Sequence, residues 1–459
     1  MNIATIRHHF RHTERGFFRQ FFALGWPISM QLLLASSLAL VDVLMVSSLG
    51  ATSVAAVGLA GKFFFVVILM VSGVANGAAT LAAQYAGQRD ADGVRRVLAI
   101  ALVAGWLAAL PFTLATWLAP DTVMGWFSND AELVRVGARF LQVTAPFHLL
   151  MATVAVVSAV LRVYGKAILP MLVGFGAVAC NTLLNYFLIY GHHGLPALGV
   201  EGAAWATLAA KALECFVLVG LVYLTASPIR LDARTFVSAF HALEVRRFLR
   251  QSLPLVMNEM VWAGGVFAIS VIYGRMGTEQ LAATTLIGPI EAVSIDIFIG
   301  FTQAASILIA TALGAGDFAL ARRRAVVLAT TITAVTFGYG CVLLAFKGKV
   351  LFLFGAMEPN VLVMAKELVA VLALTLWLRL YNVVACVSIL RSGGEVRYTL
   401  WVDLLVTWGL MLPATAWAGL VMGWPLTWVF AVAICTESLF KAPAYTVWIF
   451  RRSWLRTLV

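Results

Sequence analysis

Residues 54–77 read VAAVGLAGKFFFVVILMVSGVANG, an unbroken apolar run in which Lys62 carries the one charge. A helix that crosses a membrane needs about 20 mostly apolar residues, because at about 1.5 Å per residue that length covers a hydrocarbon core of roughly 30 Å. A strand of a membrane barrel would alternate polar and apolar over about 10 residues, and this run does not alternate. The stretch predicts one helical span. The same reading extends outward to the whole chain: of 459 residues, 62% are apolar and 12% charged, where soluble domains carry about 25% charge. A water-soluble globule is excluded.

Marking every such run between charged or Gly/Pro-rich breaks gives twelve, at 21–47, 54–77, 97–119, 133–158, 168–190, 200–224, 251–273, 281–311, 325–346, 361–390, 398–420 and 424–449. The expected fold is an all-α membrane protein of 12 transmembrane helices. Arg7, Arg11, Arg15 and Arg19 precede the first run as in a secretory leader, but 21–47 is too long for a typical leader core and reads as a retained span. With the N-terminus inside and sides alternating, the inside segments collect 22 of the 32 Lys and Arg, including Arg162 and Arg391, and the outside six. That positive-inside bias predicts two cytoplasmic termini and an even span count.

The net charge of +11 sits in short loops without interleaved aromatics, so nucleic-acid binding is not expected. Five cysteines, all within apolar runs and without metal-binding spacing, read as small packing residues. No phosphate-binding Gly-rich loop, HExxH, GxSxG or dinucleotide fingerprint is present. Neither enzyme chemistry nor ATP-driven pumping is supported, and no cofactor is expected.

Sliding the sequence on itself until Pro27 falls on Pro254 also places, without a gap, Met30 on Met257, Gly50 on Gly277, Gly61 on Gly288, Gly73 on Gly300, Asp90 on Asp317 and Arg95-Arg96 on Arg322-Arg323. With that register lengthened by two positions, Leu161-Arg162 and Gly165 fall on Leu390-Arg391 and Gly394. Apolar matches would be cheap in such a chain, but glycines and prolines each mark a backbone requirement. Two parallel six-span halves are expected: 1–224, a basic cytoplasmic linker 225–250, and 251–459. Transporters built from parallel repeats place their sites between or within the halves and alternate access by rocking.

The run DVLMVSSLG at 42–50, RMGTEQLAA at 275–283, NTLLNYFLIYG at 181–191 and LRSGGE at 390–395 resemble the MATE family of multidrug and toxic-compound extrusion transporters, in its bacterial NorM and DinF-like branches. The resemblance covers essentially the whole chain. It implies a V-shaped pair of six-helix lobes in the bacterial inner membrane, exporting organic, often cationic, compounds in exchange for protons or sodium ions.

Intramembrane carboxylates are expensive and face a cavity or a partner. Asp42 lies about 30 Å along the first helix, and Asn181 and Asn185 lie about 20 and 26 Å along the fifth, which runs the same way. The two asparagines share a face at i,i+4, as do Gln31 and Asp42 about three turns apart. Pro27 removes a backbone hydrogen bond and supplies a hinge below them. Desolvation disfavours a charged carboxylate, so Asp42 is expected to take a proton from outside, alter its bonds to Asn181 or Gln31, and shift the bend at Pro27; a purely structural hydrogen-bonding role is the competing reading. In the DinF-like pattern an aspartate often stands where this chain has Asn185, which favours protons over sodium.

Repeat symmetry acts as a control. Asp42 aligns with Ile269, Glu259 with Leu32 and Asp296 with Leu69, so each half carries its own carboxylates. Glu259, preceded by Asn258, falls on the acidic position of the NorM-like seventh span. Where that branch has an acid in the tenth span, this chain has Arg379 and Asn382. The cation-coupling candidates are therefore Asp42, Asn181, Asn185 and Glu259. The substrate-binding candidates are Asp42, Gln31, Asn181, Thr207, Asn258, Glu259 and Asp296. His148 reads as a packed histidine, the His192-His193 pair as a loop without a metal, and Glu437 with Lys441 as an i,i+4 structural couple. A lipid-linked oligosaccharide flippase is the alternative, but its pyrophosphate would call for several basic residues in the spans, where only Lys62, Lys211, Arg379 and Lys441 lie. A self-contained repeat predicts a monomer.

Overall fold

The computed structural model describes residues 16–191, 196–225, 229–352 and 359–459. Arg7, Arg11, Arg15 and the His192-His193 pair lie outside the described residues. Ten helices are long and apolar enough to cross a membrane, and eleven if a bent pair counts as one span. Ahead of them stands the 31-residue helix Phe17–Ser47. In order these are α1 (Phe17–Ser47), α2 (Ala51–Gly87), α3 (Ala91–Leu118), α4 (Ala131–Thr144 with Phe147–Val163), α5 (Ile168–Tyr190), α6 (Val200–Leu224), α7 (Ala242–Met276), α8 (Thr278–Gly314), α9 (Phe318–Phe352), α10 (from Pro359), α11 (from Val396) and α12 (Leu426–Phe450). No strand occurs among the described residues.

The helices overrun the apolar runs. The second run ends at 77 but α2 continues to Gly87, and α7 begins at Ala242, inside the segment read as a linker. A short helix, Ala233–Ser238, fills more of that segment. Helical hydrogen bonding does not stop where hydrocarbon stops. α4 is two pieces bent by 48°, and the break falls at Pro146, whose missing N–H and ring interrupt the ladder. α10 passes through a wide π turn at Val384–Leu390 before a single 3-10 turn, Arg391–Gly393, and α11 contains two more π turns, Leu405–Met411 and Trp417–Val421.

Packing divides the chain at places that the repeat alone did not indicate. Among the described residues, one compact unit is Met30–Val256, and the other joins 16–29 to Met257–Val459. The chain passes from one to the other between Ser29 and Met30, and back between Val256 and Met257. Both crossings lie just past a proline, Pro27 and Pro254, each inside an unbroken helix. The repeat register that sets Pro27 on Pro254 sets one crossing on the other.

Within hydrocarbon, helices associate by close contact of small residues rather than by escape from water. In the first unit Ala56, Ala60, Ala78 and Ala82 of α2 are fully buried, and in the second Ala283 and Ala305 of α8, the repeat mates of Ala56 and Ala78, are fully buried too. At each crossing a glycine brings two backbones together. A Cβ at Gly73 would stand 2.7 Å from the Val256 Cα, and one at Gly300 would collide with the Ser29 backbone. Ser29 also donates through Oγ to the Ile297 carbonyl at 2.5 Å.

These glycines are expected to be the sensitive ones. Gly73→Val and Gly300→Val should each destabilise the purified protein by about 1–3 kcal/mol through overpacking, seen as a lowered melting temperature. Gly61→Ala, whose Cβ meets nothing within 4 Å, should leave that temperature unchanged.

Candidate functional site

Two polar clusters lie inside the helices, one in each unit, and they differ in kind. In Met30–Val256 the cluster is built on α1, α5 and α6. The i,i+4 spacing of Asn181 and Asn185 turns both amides to one side of α5, where both are fully buried. Asn185 Nδ2 donates to Asp42 Oδ1 at 2.6 Å and to Asn181 Oδ1 at 3.0 Å. Asn181 Nδ2 donates onward to Thr207 Oγ1 at 3.4 Å, and Thr207 Oγ1 donates to the Ala203 carbonyl at 2.9 Å. Every donor points the same way along the line from Asn185 to Ala203. Asn185 Oδ1 is buried and has no hydrogen-bond partner among the described residues. Asp42 faces an amide, and no Lys, Arg or His makes an ion pair with it among the described residues.

Gln31 belongs elsewhere. Its Oε1 accepts from Arg162 Nη2 at 2.5 Å, so the face it shares with Asp42 on α1 does not bring the two side chains into one site. Arg162 had been counted among the inside loop charges; it lies at the last turn of α4 and reaches back to α1. Its repeat mate does the same. Arg391, also counted as a loop charge, is buried at 7% exposure, and its Nη2 donates to Asn258 Oδ1. Gln31 and Asn258 are themselves repeat mates, in the register that sets Pro27 on Pro254. Each is the second residue after its unit crossing.

In the other unit, Asn258 begins a network of charges. Its Nδ2 donates to Asp403 Oδ2 on α11 at 2.7 Å. Asp403 Oδ1 accepts from Tyr445 Oη at 2.8 Å and pairs with Lys441 Nζ at 2.8 Å, both on α12. Lys441 Nζ also holds Glu437 Oε1 at 2.7 Å. Glu259 Oε1 lies 3.6 Å from Arg391 Nη1. Farther along α8 and α10, Arg379 pairs with Glu291 at 2.5 Å. A buried ion pair holds only if both charges find each other with good geometry, and this network supplies that for Asp403, Glu437 and Lys441.

The structure thus joins Asp42, Asn181, Asn185 and Thr207 in one site and Asn258 and Glu259 in another. Asp296 is half-buried on α8, next to the Ile297 that receives Ser29. Pro27 is buried in α1, which continues through it. His148 is fully buried, its Nδ1 3.0 Å from the Ala145 carbonyl and its ring edge-on to Phe63 and Phe64. Sequence reading missed Asp403 and Tyr445. Asp403 is a lone acid in the run 398–420, the same signal that selected Asp42. Arg162 and Arg391 carried a signal too, as a Leu-Arg pair repeated at matching places in both halves.

Comparison with known proteins gives a concordant picture. The MatE family model matches residues 27–187 and 254–417, one segment per half. A probable multidrug resistance protein NorM of Agrobacterium fabrum is 30% identical over 308 residues, covering 66% of this chain and 64% of that protein. An uncharacterized transporter, YisQ of Bacillus subtilis, is 23% identical over 428 residues, 93% of each. A solved outward-facing multidrug resistance MATE family transporter of the MOP superfamily has the same fold, with a TM-score of 0.86 at 19% identity over 95% of this chain and 96% of that one.

Removing one partner of a buried charge network leaves the rest uncompensated. Arg391→Met should therefore destabilise the protein by about 3–5 kcal/mol. Arg135→Met, which removes an exposed, solvent-screened pair to Glu132, should leave the melting temperature unchanged, both read from thermal unfolding in detergent.

Proposed function

The chain belongs to the MATE family, and from that premise we propose that it is a secondary antiporter that exports amphipathic organic cations in exchange for protons by alternating access. The observation that carries this reading is the contrast between the two clusters. Asp42 has a neutral amide for company, so its charge is open to compensation by a proton or by a cationic substrate. The carboxylates Asp403 and Glu437 already hold a cation of the protein's own.

The one-way line of donors supplies the mechanism. With Asp42 ionised, Asn185 must present its NH2 group, and Oδ1 is left facing away. With Asp42 protonated, the new O–H needs an acceptor, and a half-turn of the Asn185 amide brings Oδ1 to it. That turn withdraws the donor from Asn181 and passes the change to Thr207, so one proton re-sorts the contacts of α1, α5 and α6. Pro27 gives α1 a place to bend in response, because its helix lacks one backbone bond there. A cationic substrate then competes with the proton for the ionised carboxylate. Both termini are cytoplasmic in this reading, the membrane is the bacterial inner membrane, and the chain works as a monomer.

The lipid-linked flippase is not favoured. Of the cations within the helices, Lys211 pairs with Glu214 at 2.6 Å, Arg379 with Glu291, Lys441 with two carboxylates, and the inward-turned Arg162 and Arg391 with Gln31 and with Asn258 and Glu259, which leaves little to receive a pyrophosphate. The relatives named above are transporters, and nothing in either cluster has the geometry of a nucleophile and its base.

Uptake of a fluorescent organic cation into inside-out proteoliposomes, driven separately by proton and sodium gradients, tests the proposal. Proton-driven uptake is expected in wild type and lost in Asp42→Asn. Asn185→Leu, which keeps the carboxylate but removes its reader, should retain cation binding and lose most of the driven uptake. Sodium-driven uptake abolished by Glu259→Gln would move coupling to the other unit and overturn the reading.

A further inference from the structure

We propose that Lys441 is a tethered counter-ion occupying a cation seat between α11 and α12, and that its presence excludes sodium from that half of the protein. This rests on the antiport reading above, in which coupling is left to Asp42. The geometry is that of a bound cation. Nζ lies 2.8 Å from Asp403 Oδ1 and 2.7 Å from Glu437 Oε1, and the lysine is 7% exposed. Asp403 is further fixed by Tyr445 and Asn258, and Arg391 Nη2 lies 4.0 Å from its Oδ2, so this carboxylate is held in place by neutral donors and a neighbouring guanidinium as well as by the ammonium. Among the described residues, no group of three or more Asp, Glu, His or Cys side chains could hold a metal ion. The cation in the seat is the protein's own.

The seat is also specific to this half. In the register that sets Arg162 on Arg391, Asp403 on α11 falls on Gly174 of α5, while α6 begins at Val200 and α12 at Leu426, so that register does not carry on to Glu437 and Lys441. The other unit lacks the acid on α5, and its lysine on α6, Lys211, pairs with one acid, Glu214, so a two-acid seat is built in one half. A scaffold requirement of the fold would be expected in both halves; an ion-selectivity device is needed in one. Hard cations bind carboxylate and carbonyl oxygens, and a sodium ion needs its anionic ligands unoccupied. A covalently attached ammonium is always at the seat, so no attainable sodium concentration competes with it.

Removing the ammonium while keeping its stem should convert the seat into a sodium site. Radiolabelled sodium binding and melting temperature in sodium chloride against choline chloride would be measured on purified wild type, Lys441→Met, Lys441→Arg and Lys441→Met/Asp403→Asn. Wild type and Lys441→Arg should show no sodium-dependent binding or shift. Lys441→Met should gain saturable binding and a sodium-dependent rise in melting temperature, both lost in the double variant. Recovery of Lys441→Met in sodium chloride but not in choline chloride would support the proposal equally. Sodium binding by wild type that Asp403→Asn abolishes would overturn it, and so would a folded Lys441→Met indifferent to sodium. Recovery of Lys441→Met in neither salt would also overturn it, since a seat that no free cation can fill is a structural ion pair. None of these readouts depends on transport, so the antiport reading can fail while this one stands, and the reverse.

Discussion

A polar side chain within hydrocarbon has no solvent to answer it and must be answered by the protein. The two units meet this one constraint in different ways, and most of what distinguishes them follows from the choice. Met30–Val256 answers Asp42 with a line of amides and a hydroxyl, and keeps an ion pair for Glu214 with Lys211. The other unit answers its acids with guanidinium and ammonium groups. Neutral partners leave a charge adjustable, because a proton can arrive or leave without a second charge being stranded. Ionic partners fix it, because neutralising one member uncovers the other.

The arginine and amide pairs are the part of this solution that both halves share. Arg162 with Gln31 and Arg391 with Asn258 each tie the end of one helix to another just past its entry into the unit. The bond requires a long cation at a helix end and a short amide one helix away, and it stands beside the point where α1 or α7 changes its packing partners. The buried glycines Gly73 and Gly300 sit on the other side of the same crossings. A helix that enters a new set of neighbours is thus held by backbone contact before the crossing and by a charged hydrogen bond after it.

The fold was legible because a helix that crosses hydrocarbon must advertise itself over its whole length, and runs such as 54–77 do. Its limits were less so: nothing in hydropathy makes α2 end at Gly87 or α7 begin at Ala242. Asp42, Asn181 and Asn185 were found together because height along a helix and i,i+4 spacing are arithmetic. Gln31 was misplaced beside Asp42 by the same arithmetic, which fixes the face of one helix and says nothing of which neighbour occupies it. Arg162 and Arg391 were assigned to loops because charge near a helix end usually means water; their repetition at matching places was the one hint otherwise, and the tertiary contacts show that both turn inward. Asp403 was visible by the rule that found Asp42, and Tyr445 was not, since a tyrosine in an apolar run is ordinary.

The π turn at Val384–Leu390 bears on how the two halves diverged from one another. A π turn takes up an additional residue while leaving the helix on course, and the register of the repeat lengthens by two positions between the first helices and Arg391. The widened turn directly before Arg391 absorbs part of that added length. An ungapped overlay of the halves would set Arg162 against Ile389 and lose the equivalence. The helix accommodates the longer register and keeps its arginine on the amide, so the contact, and not the residue count, is what the two halves have in common.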